Sequence, residues 1–237
     1  MKYTNNKMLH LLPLTIAENT ILNVIPAEAL ESYKKIKVFI SENNKTSRRF
    51  LKLISKDINI DELVMFELSK HEPHLQMDEI KQLLKQNEHI GLMSESGMPC
   101  IGDPGNVVVQ LAHEMGIRVK PYVGPSSILL ALVASGFDGQ HFKFLGYLSK
   151  KPEERKLELS RIELDAKTCT QIFIETPYRN DSLLAFLIQN LSPNTKLMIA
   201  KDITGEDETI ISQPIKWWRL NPIEIGKSPC IFAIYNG

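Results

Sequence analysis

The residues best suited to chemistry gather between positions 94 and 105. There, Gly97, Gly102 and Gly105 stand among Pro99 and Pro104, with Glu95 and Asp103 near the two ends. Glycines at this density allow tight turns and let main-chain groups approach a ligand closely. The loop follows a short apolar run, residues 89–93. In an open α/β sheet, the carboxyl end of a strand is where ligands bind. The plainer reading is a long structural turn, with Asp103-Pro104-Gly105 capping the next helix.

Three further segments carry weaker signals. Gly124-Pro125-Ser126-Ser127 places two hydroxyls at the opening of an apolar helix. They either cap that helix or, with its unsatisfied N–H groups, hold the polar edge of a ligand. Residues 173–179 end a strand in a polar turn with Glu175, Thr176 and Arg179, and Pro177 suits a helix start. Glu42 is followed by Lys45, Arg48 and Arg49. That pattern reads as a solvated helix face or as a phosphate-binding face beside an acid at a strand end. Trp217-Trp218 suits a core or a dimer interface better than a base-stacking platform. The chain has no Ser/His/Asp set, no GxxxxGK[ST] and no GxGxxG, which disfavours P-loop and nicotinamide sites.

The elements that must position these residues follow from the hydrophobic pattern. Strands are expected at 8–14, 37–41, 64–68, 89–93 and 118–123, and helices at 26–33, 45–54, 76–86 and 106–115. Met77, Ile80, Leu83 and Leu84 show the helical spacing in the third of these helices. Strands alternating with helices imply parallel pairing through crossover helices. After residue 123 the pattern restarts. Helices are expected at 126–134, 151–165 and 181–191, and strands at 142–148, 170–175, 196–201, 208–211 and 230–235. The last strands follow one another without intervening helices, which implies mixed pairing. The expected organisation is an α/β domain over residues 1–123 and an α+β domain over residues 124–237.

Composition sets the outer bounds. The 237 residues are 43% hydrophobic and 24% charged, enough apolar material for a packed core. The 28 basic and 28 acidic side chains cancel, so any nucleic-acid site must be a local basic patch. Cys100, Cys169 and Cys230 are scattered, with no CxxC or Cys/His ligand spacing, so neither a disulfide framework nor a metal site is expected. Residues 1–6 are polar and do not resemble a secretory signal. No apolar stretch approaches the length of a membrane span. These features fit a cytoplasmic protein with no membrane association.

In combination the segments resemble one family. Residues 91–105 resemble its "ALVSDAGTP…DPG" loop, and residues 116–127 its "GIxVxPLPGPSA" segment. Residues 173–179 resemble "FYESPHR". Ala200-Lys201-Asp202-Ile203-Thr204, followed by Glu208-Thr209, resembles "ARELTKxxET". Residues 41–51 resemble "AEDTRxTxxLL", and His71 lies near the family's "HN" position. Order and spacing agree across nearly the whole chain. The family is the ribosomal RNA small-subunit 2′-O-methyltransferase I group of the tetrapyrrole-methylase superfamily.

The resemblance implies a two-domain tetrapyrrole-methylase fold, usually a homodimer, with S-adenosylmethionine held between the domains and no metal. It assigns cofactor contacts to Pro13, Ser94, Glu95, Ser96, Met98, Ser126, Ser127, Glu175, Thr176 and Ala200. The implied acceptor is a cytidine ribose 2′-hydroxyl in the RNA of the small ribosomal subunit. Glu42 then becomes the candidate base, or the group that orients the ribose, and Lys45 the partner of an adjacent phosphate. Three features depart from the family pattern. "PTPIGN" is replaced by residues 13–19, Pro-Leu-Thr-Ile-Ala-Glu-Asn, without the glycine. The Asp of "SDAG" is Glu95, and "EDTR" is Glu42-Asn43-Asn44-Lys45, so its Asp and Arg have become Asn and Lys. Two other readings stay open: methylation of a tetrapyrrole or other small molecule, and cofactor binding without turnover.

Overall fold

The computed structural model describes residues 6–237. Residues 1–5, most of the stretch read above as lacking a secretory signal, lie outside it. The chain divides into two compact units, Met1–Ser126 and Ser127–Gly237.

The first unit is built on five parallel strands: β1 Met8–Leu11, β2 Val38–Ser41, β3 Val64–Glu67, β4 His89–Met93 and β5 Arg118–Pro121. Their order across the sheet is β3-β2-β4-β1-β5. The helices are α1 Ile21–Val24, α2 Ala27–Lys35, α3 Asn44–Ile54, α4 Met77–Gln86 and α5 Asn106–Glu114. Alternation along the strands decides which helices cover which face. Phe39 points to the side where α2 and α3 bury Tyr33, Phe50 and Leu51. Val38 and Ile40 point to the other side, with Ile80 and Leu84 of α4 and Val108 and Leu111 of α5. The crossovers leaving β1 and β2 therefore turn to one face, and those leaving β3 and β4 to the other. Where neighbouring strands send their chains to opposite faces, a crevice opens at their carboxyl ends. Here that crevice lies at the ends of β1, β4 and β2.

Strand β1 is shorter than its apolar run, 8–14, suggested. Pro13 has no N–H to give to the ladder and ends it. The chain still runs beside β4, with Leu12 N–H donating to Leu92 O (2.9 Å) and Leu14 N–H to Gly97 O (2.9 Å). The apolar signal is real, but it belongs to buried residues beyond the strand.

The second unit carries a mixed sheet in the order β6-β7-β10-β8-β9. Its strands are β6 Phe142–Tyr147, β7 Thr170–Ile174, β8 Lys196–Lys201, β9 Thr209–Pro214 and β10 Cys230–Tyr235. Only β6 and β7 pair in parallel; β10 runs antiparallel to both β7 and β8, and β8 to β9. Helices α7 Pro152–Asp165, α8 Asn180–Asn190 and α9 Ile215–Trp218 pack on one face with Phe173, Phe232 and Ile199. Helix α6, Ser127–Ser135, covers the other, where Ile128, Ala131 and Leu132 meet Ile172, Met198 and Ile231. Trp218 is buried in the first of these cores, and its indole N–H donates to Leu197 O and Gln213 O at 3.1 and 3.0 Å. Trp217 packs edge-on against it.

Among the described residues, no helix is long and apolar enough to cross a membrane. None of their His, Cys, Asp and Glu side chains form a group fit to hold a metal ion.

Candidate functional site

The loop leaving β4 is folded back on itself and tied to its neighbours. The buried Ser94 hydroxyl bonds to Ser96 O (3.1 Å) and Gly97 O (3.2 Å). Gly97 sits at φ +68°, a backbone region that suits glycine, and a Cβ there would lie 3.0 Å from Pro125 O. Gly97 O in turn accepts from Leu14 N–H, and Met98 N–H donates to Pro125 O (3.0 Å). Gly124 approaches Pro13 so closely that a Cβ would stand 2.2 Å from the proline Cβ. The ends of β1, β4 and β5 are thus stitched together, and Pro13, Ser94, Glu95, Ser96, Met98 and Ser126 are gathered into one region. Further along the loop, the Asp103 carboxylate accepts from Cys100 N–H (2.8 Å) and Gly105 N–H (2.7 Å). Asp103 therefore holds the turn itself. Burial pushes its pKa up, and the backbone N–H groups offset only part of that.

Beside this loop, at the end of β2, lies a charged network. Glu42 N–H donates to Met93 O (3.2 Å), and the Glu42 carboxylate accepts from Glu95 N–H (2.9 Å). Lys70 Nζ stands 3.3 Å from Glu42 Oε1 and 2.7 Å from Glu95 Oε2. The other Glu95 oxygen accepts from Asn43 Nδ2 (2.9 Å). Asn43 is also the N-cap of α3, its Oδ1 accepting from Lys45 N–H (3.0 Å) and Thr46 N–H (3.1 Å). Burial drives the Glu95 carboxyl upward, but the hydrogen bonds from Lys70 and Asn43 and the Lys70 charge outweigh it, leaving Glu95 below the ordinary carboxylate range. For Lys70, desolvation favours loss of the proton, and the two carboxylates overcome it, so its pKa is raised. Glu42, Asn43, Glu67, Lys70, His71 and Gln76 line a polar cavity of about 440 Å³.

Lys70 and Asn43 were not among the residues singled out by sequence. Lys70 lies just past the 64–68 strand, and the rule that strand ends carry function is the signal that could have found it. Lys45 is exposed on the first turn of α3. The Asn43 cap holds the Lys45 backbone N–H, but the Lys45 ammonium takes no part in the network.

In the second unit, Glu175 follows β7 and is buried. One of its oxygens, Oε1, receives Thr176 N–H (2.6 Å), the Thr176 hydroxyl (3.3 Å) and Arg179 Nε (3.1 Å), and pairs with the second guanidinium nitrogen. The "FYESPHR"-like segment is thereby a closed local clamp. Ala200 lies in β8 opposite Ile231, which itself lies opposite Ile174, so Ala200 and Glu175 sit toward one end of the sheet. The Ala200 side chain is only 1% exposed and packs in the cluster under α6, the helix that Ser127 opens. Its backbone is flanked by paired strands on both sides.

The model of the tetrapyrrole (corrin/porphyrin) methylases matches residues 22–216, most of the chain. The chain belongs to this family. Among curated relatives, ribosomal RNA small subunit methyltransferase I of Vibrio cholerae is 32% identical over 150 residues. That match takes in 63% of this chain and 51% of the relative, so the chain spans about half of the Vibrio protein's length. The enzyme of the same name from Leptospira biflexa is 26% identical over 206 residues, covering 86% of this chain and 80% of the relative. Among solved structures, the uroporphyrin-III C-methyltransferase of Thermus thermophilus, complexed with S-adenosyl homocysteine, shares the fold of this tetrapyrrole methylase. It aligns with a TM-score of 0.56 and 11% identity over 97% of each chain. The two-domain tetrapyrrole-methylase fold expected from sequence, one unit parallel and the other mixed, is the fold observed.

Proposed function

We propose that the chain is an S-adenosylmethionine-dependent methyltransferase acting on a cytidine ribose 2′-hydroxyl in small-subunit ribosomal RNA. The observation that carries this reading is the convergence at the carboxyl ends of β1, β2 and β4. It gathers, within the first unit, the loop residues whose pattern resembles that of the ribosomal RNA small-subunit methyltransferase I group. The cofactor would be held by Pro13, Ser94, Glu95, Ser96, Met98 and Ser126 in the first unit, and by Ser127, Glu175, Thr176 and Ala200 in the second. The donor set fits such a molecule. The Ser96 hydroxyl is exposed, Gly97 and Gly124 let the ends of β1, β4 and β5 close on one another so that the loop residues face one region, and methyl transfer from a sulfonium requires no metal. Ala200, with its side chain buried, would contribute shape.

S-adenosylmethionine supplies an electrophilic methyl group. The chain's own task is to align an acceptor hydroxyl with it at roughly 3–3.5 Å and to remove the hydroxyl's proton. Glu42 is assigned to that proton. One of its oxygens is fixed by Glu95 N–H, and the other faces Lys70 beside the polar cavity. Lys70 holds the two carboxylates in place and Lys45 lies outside them, facing solvent. Work as a homodimer in the cytoplasm belongs to the same reading and rests on the family alone.

The first test is calorimetric titration of S-adenosylmethionine and S-adenosylhomocysteine, with Ser127→Trp as the blocked control. Micromolar binding, lost in the folded variant, is expected. Transfer of labelled methyl to undermethylated small subunits follows, with Glu42→Gln slowing it by roughly 10²–10³-fold. A well-folded wild type that binds neither compound ends the enzyme reading. Transfer to a porphyrinoid and not to RNA replaces the acceptor.

A further inference from the structure

Helix α3 carries a feature that the cofactor loop does not explain. Lys45, Arg48, Arg49 and Lys52 fall within an arc of about 100° on the helical wheel, and Lys56 follows two residues past the helix end. All five are exposed. Arg49 pairs with Glu18 at 3.1 Å, both side chains being more than 70% exposed. Among the described residues, Lys45, Arg48, Lys52 and Lys56 form no ion pair. Like charges three and four residues apart destabilise a helix. A chain of zero net charge therefore concentrates an uncompensated positive stripe on one helix.

The stripe borders a cleft. Thr46, Arg49 and Leu53, along one edge of it, line a cavity of about 540 Å³ together with Ile16, Leu22, Glu95 and Ser96. Leu22 is 86% and Leu53 64% exposed, so two large aliphatic side chains line an open space beside the cations. Pockets for compact organic ligands run from roughly 300 to 1,000 Å³. A row of cations tracking a backbone, next to an apolar slot, is the arrangement that binds single-stranded nucleic acid: phosphates on the row, an unstacked base in the slot.

We propose that α3 is the RNA-docking element of this chain. Arg48, Lys52 and Lys56 track the phosphates of a single-stranded segment, and the cleft between Leu22 and Leu53 receives one of its bases next to Glu95 and Ser96. This rests on the RNA reading above and extends it from Glu95 and Ser96 of the proposed cofactor site to α3 and Leu22. A folded protein partner with an acidic surface would use the stripe but has no use for the slot.

The test is fluorescence anisotropy of a short labelled single-stranded RNA against salt, run in parallel with methyl transfer to small subunits. Wild type should bind with a steep salt dependence. Arg48→Glu/Lys52→Glu/Lys56→Glu should weaken binding at least about 30-fold, and its log–log salt slope should fall in magnitude by about 2, three phosphate contacts at roughly 0.7 each. The neutral variant Arg48→Gln/Lys52→Gln/Lys56→Gln, which avoids new acids on the helix, should lie between. Leu53→Ser should weaken binding with the slope unchanged. Circular dichroism and a thermal melt verify that each variant is folded. If the charge reversal leaves both RNA affinity and methyl transfer at wild-type levels, the docking assignment is wrong while the proposed function stands. If the stripe binds RNA as described but no methyl reaches RNA, the docking assignment stands and the proposed function falls. If wild type neither binds nor methylates RNA, both fall.

Discussion

The two units hold their candidate residues in opposite ways. In the first, every strand runs in the same direction, so all five carboxyl ends meet one edge and residues as distant in sequence as Pro13, Glu42, Lys70 and Glu95 are brought to it. Their polar groups bond across loops: Glu42 to the Glu95 backbone, Lys70 to both carboxylates, Asn43 to Glu95. In the second, strands run both ways, and the polar cluster at Glu175 is satisfied within five residues of sequence by Thr176 and Arg179. A parallel sheet assembles a site from far-apart segments. A mixed sheet gives its candidate residues local order and a large apolar core. The first unit should respond to substitutions through function, and the second through stability.

The largest effect tests the second half of that contrast. Trp218→Ala removes a buried indole that satisfies two carbonyls, and should cost the second unit ~4 kcal/mol. Hydrogen exchange should quicken along β8 and β9, while amides in β1, β2 and β4 keep their protection. Equal loss of protection in both units would erase the distinction.

Lys70→Met tests the first half. It leaves Glu42 and Glu95 close together without their shared cation, and should lower methyl transfer by roughly 10²-fold with a smaller effect on thermal stability. The Glu95 carboxyl, held low by Lys70 and Asn43 against the pull of burial, should rise. In wild type a depressed carboxylate stabilises the fold above its unfolded pKa, and that contribution fades as pH falls through the lower folded value. In Lys70→Met that contribution shrinks, so the melting temperature should fall less than that of wild type as pH drops below the ordinary carboxylate range, and a pH titration of the melting temperature measures it. A pH profile identical to wild type would mean that Lys70 does not set the charge state of the site.

Much of this contrast was legible in the sequence. Alternating apolar segments with helical and strand periods placed nearly every strand and long helix, because those segments are buried on predictable faces. The glycine-rich loop was legible because Gly97 and Gly102 sit at positive φ, where glycine is the residue that fits. What the sequence hid was connectivity between loops. Nothing in Asn43 or Lys70 alone says that both end on Glu95. The departures "EDTR" to Glu-Asn-Asn-Lys and "SDAG" to Ser-Glu-Ser-Gly are separate changes in sequence. In the fold Asn43 and Glu95 are partners, an amide donating to a carboxylate, where two family aspartates would repel. Short helices such as α1 and α9, at four residues each, carry too few turns to show a period. The end of β1 was misjudged because apolar character records burial, while the ladder depends on an N–H that Pro13 lacks.

Gly124→Ala sharpens the comparison on a smaller scale. Its Cβ would overlap the Pro13 ring, so the ends of β1 and β5 must part. The expected cost is ~2 kcal/mol. S-adenosylmethionine affinity should fall with it, since Pro13 and Ser126 flank the displaced segment. Gly136→Ala, in the second unit at φ +73° with open space around it, should cost only backbone strain, about 1 kcal/mol, and leave that affinity intact.

The last comparison concerns a feature of the parallel sheet far from the loops, which changes stability with pH and not the site. His10 on β1 is buried, its Nδ1 2.9 Å from the Tyr122 hydroxyl and its Nε2 3.0 Å from His89 Nδ1. The Tyr122 hydroxyl continues to Ser32 Oγ at 2.8 Å. Burial, then the nearby His89, Lys120 and Arg118, lower the His10 pKa from 6.5 to about 4. The unfolded chain takes up the proton near 6.5 and the folded chain near 4, so the unfolded state gains protons first as pH falls. This contribution to stability is complete above 6.5 and is lost progressively down to about 4. After allowance for screening, its size is about 2 kcal/mol. His10→Gln keeps hydrogen-bonding capacity without the titration, so its melting temperature should change less than that of wild type between those two pH values. A wild-type melting temperature that is flat across that window would mean that the His10 ring takes its proton inside the fold, with the Tyr122–His10–His89 run rearranging to accommodate it.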